Sequence, residues 1–185
     1  MVLRQLPHVL TLLRLLTSPV LAWLLVLTRF REALVLVLIA GLTDWLDGFL
    51  ARRLHAAAGM GVVLDPLADK TLLVTLFLSL GYVRQVPESL VYLVIGRDLI
   101  IVLGAVYLRT ARKVQNFFPS ELGKISTFFQ IVLAIMVLLY AAFDSKVLLW
   151  LRMCALILSA CFTIASGLDY VRKGLAMSRR AAIAG

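Results

Sequence analysis

Four aspartates interrupt an otherwise apolar stretch of this chain. Gly41-Leu-Thr-Asp44-Trp-Leu-Asp47-Gly48-Phe-Leu-Ala51-Arg52 is followed closely by Gly61-Val-Val-Leu-Asp65-Pro66-Leu-Ala-Asp69-Lys70. Of the ten acidic residues in the chain, four fall here, at the ends of two consecutive hydrophobic runs. Acids in such segments are costly and are usually functional. Asp44 and Asp47 are i and i+3, and Asp65 and Asp69 are i and i+4, so each pair shares a helix face. A short connection makes the two helices antiparallel neighbours, and all four carboxylates can then converge on one cavity at one depth. Ionised together they would repel strongly, so either several are protonated or cations are bound. Hard oxygen donors select magnesium, calcium or manganese, and a two-metal carboxylate site is a recurrent solution for displacement at phosphorus.

The residues around the acids fit a ligand. Gly48 and Ala51, one turn apart, remove bulk where a ligand would approach, and Gly61 does the same on the next helix. Arg52 can offer a bidentate fork to a phosphate. The alternative for Gly48, Ala51 and Gly61 is a small-residue contact between membrane helices, which leaves the acids unexplained.

These residues need elements to hold them, and composition decides the solvent of those elements. Of 185 residues, 62% are hydrophobic and 16% charged, in blocks long enough to cross a hydrocarbon core. The composition argues against a soluble domain, and continuous runs rather than alternating segments argue against a barrel. The reading is all-α: a single integral-membrane domain over residues 1–185, with six transmembrane helices at about 8–28, 33–54, 61–81, 89–109, 122–142 and 147–171. The first span, with Arg14 inside its apolar run, is read as retained rather than as a signal peptide. Cys154 and Cys161 are read as buried, inert thiols, and Ser178 to Gly185 as a short, frayed end.

Six spans place both termini and the even connections on one side. That side collects Arg4, Arg52, Arg53, Arg109, Arg112, Lys113, Lys124, Arg172, Lys173, Arg179 and Arg180, against Arg29, Arg31, Arg84 and Lys146 on the other. The positive-inside rule assigns the richer side, and the aspartates with it, to the cytoplasm, with a bacterial inner membrane as the expected location. Topology and anionic headgroups account for the formal charge of +9. No basic and aromatic module accompanies that charge, so no nucleic-acid partner is expected.

Written as a pattern, Asp44 to Asp69 reads D-x-x-D-G-x-x-A-R, eight residues, G-x-x-x-D-x-x-x-D. It is similar at every fixed position to the signature of the CDP-alcohol phosphotransferase family, and six membrane helices also agree with that family. The resemblance implies that Asp44, Asp47, Asp65 and Asp69 hold two divalent cations, magnesium or alternatively manganese, on the pyrophosphate of a CDP-lipid. It implies that Asp69 is also the base for the acceptor hydroxyl, and that Gly48, Ala51, Arg52 and Gly61 shape the nucleotide and phosphate pocket. Pro7-His8-Val9-Leu10-Thr11-Leu12-Leu13-Arg14 resembles the family's P-N-x-x-T-x-x-R and adds Thr11 and Arg14 to that pocket, with His8 where Asn is usual. A homodimer is implied too.

The acceptor is read from further cations. Arg97 interrupts the fourth span and must pair with an acid such as Asp98 or meet a phosphate. Arg109, Arg112, Lys113 and Lys124 are either topology determinants or a dock for an anionic acceptor. The segments from Gly96 to Ala105 and from Gly123 to Gln130 resemble CMP-forming cardiolipin synthases, which use CDP-diacylglycerol and phosphatidylglycerol. Phosphatidylglycerophosphate synthases, which accept glycerol 3-phosphate, tend to carry a second Lys where Ser126 stands. The missing cation favours the lipid acceptor, with glycerol 3-phosphate as the alternative. A small transporter or cation channel is the rival from another class; it predicts acids at the bilayer midplane rather than at one face.

Overall fold

The computed structural model describes the backbone at residues 6–53, 64–111 and 120–183, and side chains at 16–43, 70–104, 106–107, 110 and 120–177. Its described residues form six helices and no strand: α1 (Leu6–Val26), α2 (Phe30–Arg53), α3 (Leu64–Tyr82), α4 (Glu88–Ala111), α5 (Glu121–Phe143) and α6 (Lys146–Ile183). Five follow the predicted spans closely. The sixth does not stop where expected: α6 runs for 38 residues and carries the tail from Ser178 as helix to Ile183. The reason is local. No proline follows Lys146, the residues after Gly174 are mostly good helix formers, and Lys173 pairs with Asp169 one turn earlier at 2.8 Å.

α5 and the Lys146–Met177 part of α6 are long and apolar enough to cross a membrane. Shorter apolar stretches occur at Leu16–Val26 in α1 and Lys70–Tyr82 in α3. Length and composition thus support two spans among the described residues, where the sequence predicts six. Little of the apolar surface of Lys146–Met177 is buried, and such a surface suits an apolar surrounding. Cys154 and Cys161 lie on that surface and are exposed, not buried as predicted. Where the outer face of a helix meets hydrocarbon, a small apolar thiol is at home on it.

The helices fall into two units. The first comprises α1, α2, α3 and the last residues of α5, and the second comprises α4, α5 up to Met136, and α6. In the first, α1 packs on α3 and on α2. Leu21 and Leu25, one turn apart, are fully buried, as are Phe77 and Leu80 on α3. Arg31, near the start of α2, donates to the carbonyl of Ala142 and lies over the ring of Phe143 at 5.4 Å.

α1 and α3 end in the same way. The N–H of Thr28 donates to Leu25 O and that of Arg29 to Leu24 O; likewise Arg84 donates to Gly81 O and Gln85 to Leu80 O. Each pair of bonds closes a helix C-terminus and requires a left-handed residue just past it, usually glycine. Here Thr28 and Arg84 both take φ 56°, and Asp144 after α5 takes φ 44°.

Candidate functional site

Backbone placement puts Asp44, Asp47, Gly48, Ala51 and Arg52 on the last turns of α2 as described, and Asp65 and Asp69 on the first turns of α3. Thr11 and Arg14 are on α1. Their side chains lie outside the described residues, as does Gly61 altogether. Both aspartate pairs are therefore on helical backbone, three and four residues apart, on the two helices that flank residues 54–63. Pro66 is compatible with the first turn of α3, where a missing N–H costs little. The donor set is four carboxylates, with no thiolate or imidazole, and such oxygen donors fit a hard divalent cation. No three His, Cys, Asp or Glu side chains come together among the described residues, which do not include these four.

Of the predicted acceptor cations, Arg109 is on α4 with its side chain outside the described residues, and Arg112 and Lys113 lie outside them entirely. Arg97 and Lys124 are described in full, and both belong to the second unit. Arg97 is buried and its guanidinium is engaged on three sides. Nη1 donates to Asp98 at 2.6 Å, Nε and Nη2 donate to the Ser166 hydroxyl at 3.2 and 2.8 Å, and Nη2 donates to the carbonyl of Gly123 at 3.2 Å. Tyr170 supplies a ring face at 5.6 Å. The ion pair with Asp98, one of the two sequence alternatives, is present, and both partners are buried.

This pairing joins three helices at one point. Ser120 caps α5, its hydroxyl accepting the N–H of Gly123 at 3.2 Å. Its own N–H donates to the Tyr170 hydroxyl on α6 at 3.0 Å. Gly123 is required by close approach. A Cβ there would stand 2.7 Å from the Tyr170 hydroxyl and 3.1 Å from Arg97 Nη2. One turn deeper, Ser126, Gln130 and Thr163, all fully buried, bond to one another at 3.1 to 3.4 Å, and Phe129 stacks on Phe162 at 4.7 Å. Lys124, by contrast, is exposed and pairs with Glu121 at 2.7 Å.

Sequence reasoning missed Ser120, Ser166 and Tyr170. A signal was present: Ser159, Thr163, Ser166 and Tyr170 recur at helical spacing through an apolar run, and polar residues on one face of such a helix mark where it meets other helices.

A sequence model of the CDP-alcohol phosphatidyltransferase family matches residues 4–165. The chain belongs to that family. The matched region contains all four aspartates and the Arg97 junction up to Thr163. Members of the family generally use divalent metals, in keeping with the carboxylate donor set. The chain is 34% identical over 175 residues to a CDP-diacylglycerol–glycerol-3-phosphate 3-phosphatidyltransferase of Aquifex aeolicus, covering 92% of this chain and 96% of that one. It is 35% identical over 143 residues to a CMP-forming cardiolipin synthase of Rattus norvegicus, covering 69% of this chain and 47% of the relative, so it spans under half of that protein. A probable phosphatidylglycerophosphate synthase of Mycobacterium tuberculosis is 32% identical over 178 residues, 92% of this chain and 82% of the relative. This phosphatidyltransferase therefore has relatives named for two different activities.

Proposed function

We propose that this phosphatidyltransferase moves the phosphatidyl group of CDP-diacylglycerol to phosphatidylglycerol, releasing CMP and forming cardiolipin. The observation that carries the transfer is the unbroken aspartate pattern from Asp44 to Asp69 inside a match to the family that spans most of the chain. For the acceptor, the supporting observation is Ser126. It is fully buried and bonded to Thr163, so its position offers no cation to a dianionic phosphomonoester. A second reading, glycerol 3-phosphate as acceptor, is favoured by the Aquifex aeolicus relative, which aligns over 96% of its own length and carries that acceptor in its name.

In this reading Asp44, Asp47, Asp65 and Asp69 hold two divalent cations, magnesium or manganese. When bound, they would neutralise charge on the pyrophosphate oxygens and on the departing CMP. Asp69 accepts the proton of the acceptor hydroxyl as its oxygen bonds to the phosphatidyl phosphorus and the bond from that phosphorus to CMP breaks. A carboxylate is a weak base for an alcohol, so most of the acceleration comes from positioning and electrostatics. Gly48, Ala51, Arg52, Gly61, Thr11 and Arg14 shape the nucleotide and phosphate pocket, and Lys124, with Arg109, Arg112 and Lys113, meets the acceptor. Arg97 is assigned to the helix junction.

We also propose six membrane spans in a bacterial inner membrane, a cytoplasmic active site and a homodimer. Exposed aromatics support the topology. Trp23, Tyr82, Tyr92, Phe143 and Trp150 all lie near helix ends at the first, third and fifth connections, which six spans bring to one interface, where such rings concentrate.

The test is CMP release from CDP-diacylglycerol by the purified protein with magnesium, offered phosphatidylglycerol or glycerol 3-phosphate, with a chelator control. Chelator-sensitive release with phosphatidylglycerol is expected; release with glycerol 3-phosphate alone would establish the second reading. Asp69→Asn is expected to abolish release while retaining nucleotide-lipid binding, and near-normal turnover would remove Asp69 as the base.

A further inference from the structure

Lys124 stands in an electrostatically awkward place. It belongs to the first full turn of α5, and a cation at a helix N-terminus opposes the helix dipole. Its partner Glu121 does little to hold it: the two side chains are 61% and 81% exposed, and exposed pairs of this kind contribute little. An anion at this place would be favoured by both the ammonium and the dipole. The backbone beneath is fixed to an unusual degree. Ser120, Arg97 and Tyr170 are buried, and the N–H of Ser120 and the carbonyl of Gly123 are taken by Tyr170 and Arg97 from α6 and α4. Tyr170 enters this junction twice, through its hydroxyl on Ser120 and through its ring against Arg97.

We infer that Tyr170 is a positioning residue for acceptor binding: it holds the first turn of α5 so that Lys124 meets the acceptor phosphate without rearrangement. The inference rests on the reading of Lys124 as an acceptor contact. A side chain needed only for folding would, when altered, lower kcat, weaken both substrates and reduce thermal stability together. A positioning residue moves the acceptor KM and leaves the CDP-diacylglycerol KM in place.

The experiment is steady-state kinetics of the full chain in mixed micelles, with phosphatidylglycerol and with glycerol 3-phosphate, for wild type, Tyr170→Phe, Lys124→Ala and the double variant. Tyr170→Phe is expected to raise the acceptor KM about fivefold, the scale of one neutral hydrogen bond, with donor KM and kcat within about twofold. Lys124→Ala is expected to raise the acceptor KM about tenfold or more, as loss of a charged contact does. In the double variant the Tyr170 effect should vanish, because there is no longer a cation to place. Unchanged acceptor KM in Lys124→Ala would overturn the acceptor reading and this inference with it. A raised KM in Lys124→Ala with none in Tyr170→Phe, or effects that simply multiply, would overturn the inference alone. Should Tyr170→Phe fail to fold, Gly123→Ala serves in its place, since the added methyl displaces the Tyr170 hydroxyl without removing it, and the same outcomes decide.

Discussion

At the scale of single residues, the buried junction around Arg97 makes sharp demands. Gly123→Ala puts a methyl 2.7 Å from the Tyr170 hydroxyl, and overpacking of this kind costs about 1–3 kcal/mol. Thermal unfolding in detergent should show it. Among the described residues, Gly96 and Gly104 on α4 have nothing within 4 Å of an added Cβ. Their alanine variants should gain about 0.5–1 kcal/mol from the restricted unfolded chain and better helix propensity. Arg97 gives the converse case. Arg97→Met takes the cation from Asp98 and one donor from the Gly123 carbonyl, which the Thr127 hydroxyl also meets at 3.1 Å, and breaking a buried pair from one side costs about 3–5 kcal/mol. Arg97→Met with Asp98→Asn should be less destabilised than the sum of the two single variants, which a double-mutant cycle would measure.

At the scale of elements, the helix endings carry strain that substitution can relieve. Thr28 is β-branched at φ 56°, a backbone region costly for such a residue and free for glycine. Thr28→Gly should stabilise the closure of α1 by about 1 kcal/mol, at the loss of a hydroxyl bond to the adjacent Leu27 carbonyl. Arg84→Gly should act similarly after α3, and an unchanged or lower midpoint in both would show that the side chains there have another role. α6 raises a different question. Its 38 residues reach about 57 Å at 1.5 Å per residue, beyond a hydrocarbon core of about 30 Å. In the six-span arrangement its basic C-terminal end, with Arg172, Lys173, Arg179 and Arg180, therefore leaves the hydrocarbon.

At the scale of the whole molecule, the prediction concerns how many helices cross. In the six-span arrangement Arg84 and Lys124 face opposite compartments. With Cys154 and Cys161 replaced, a cysteine at position 84 should react with an impermeant thiol reagent from outside intact cells, and one at position 124 only after the cytoplasmic face is opened. Labelling of both from one side would mean that α4, which lies between them, does not cross. The native Cys154 and Cys161, exposed on α6, should resist a water-soluble reagent until detergent strips the lipid from that surface.

Much of this protein was legible in the chain itself, for a physical reason. Hydrophobic runs long enough to cross a bilayer leave the backbone few options besides helix, so the positions of six helices follow from composition and spacing. The aspartates announce themselves because ionised groups are expensive in such runs, and their spacing makes sense only on helices. Conformation at the connections was less legible, since left-handed Thr28, Arg84 and Asp144 occupy places where a reader looks for glycine. The end of α6 was missed because helix propensity continues after hydrophobicity fades. Only tertiary structure could show that Arg97 is taken up by Asp98, Ser166 and Gly123, that Gly123 is small because Tyr170 lies against it, and that Cys154 and Cys161 face outward. Partners distant in sequence, such as Ser120 and Tyr170, are chosen by how helices pack, and one helix's periodicity cannot say which residue of another it will meet.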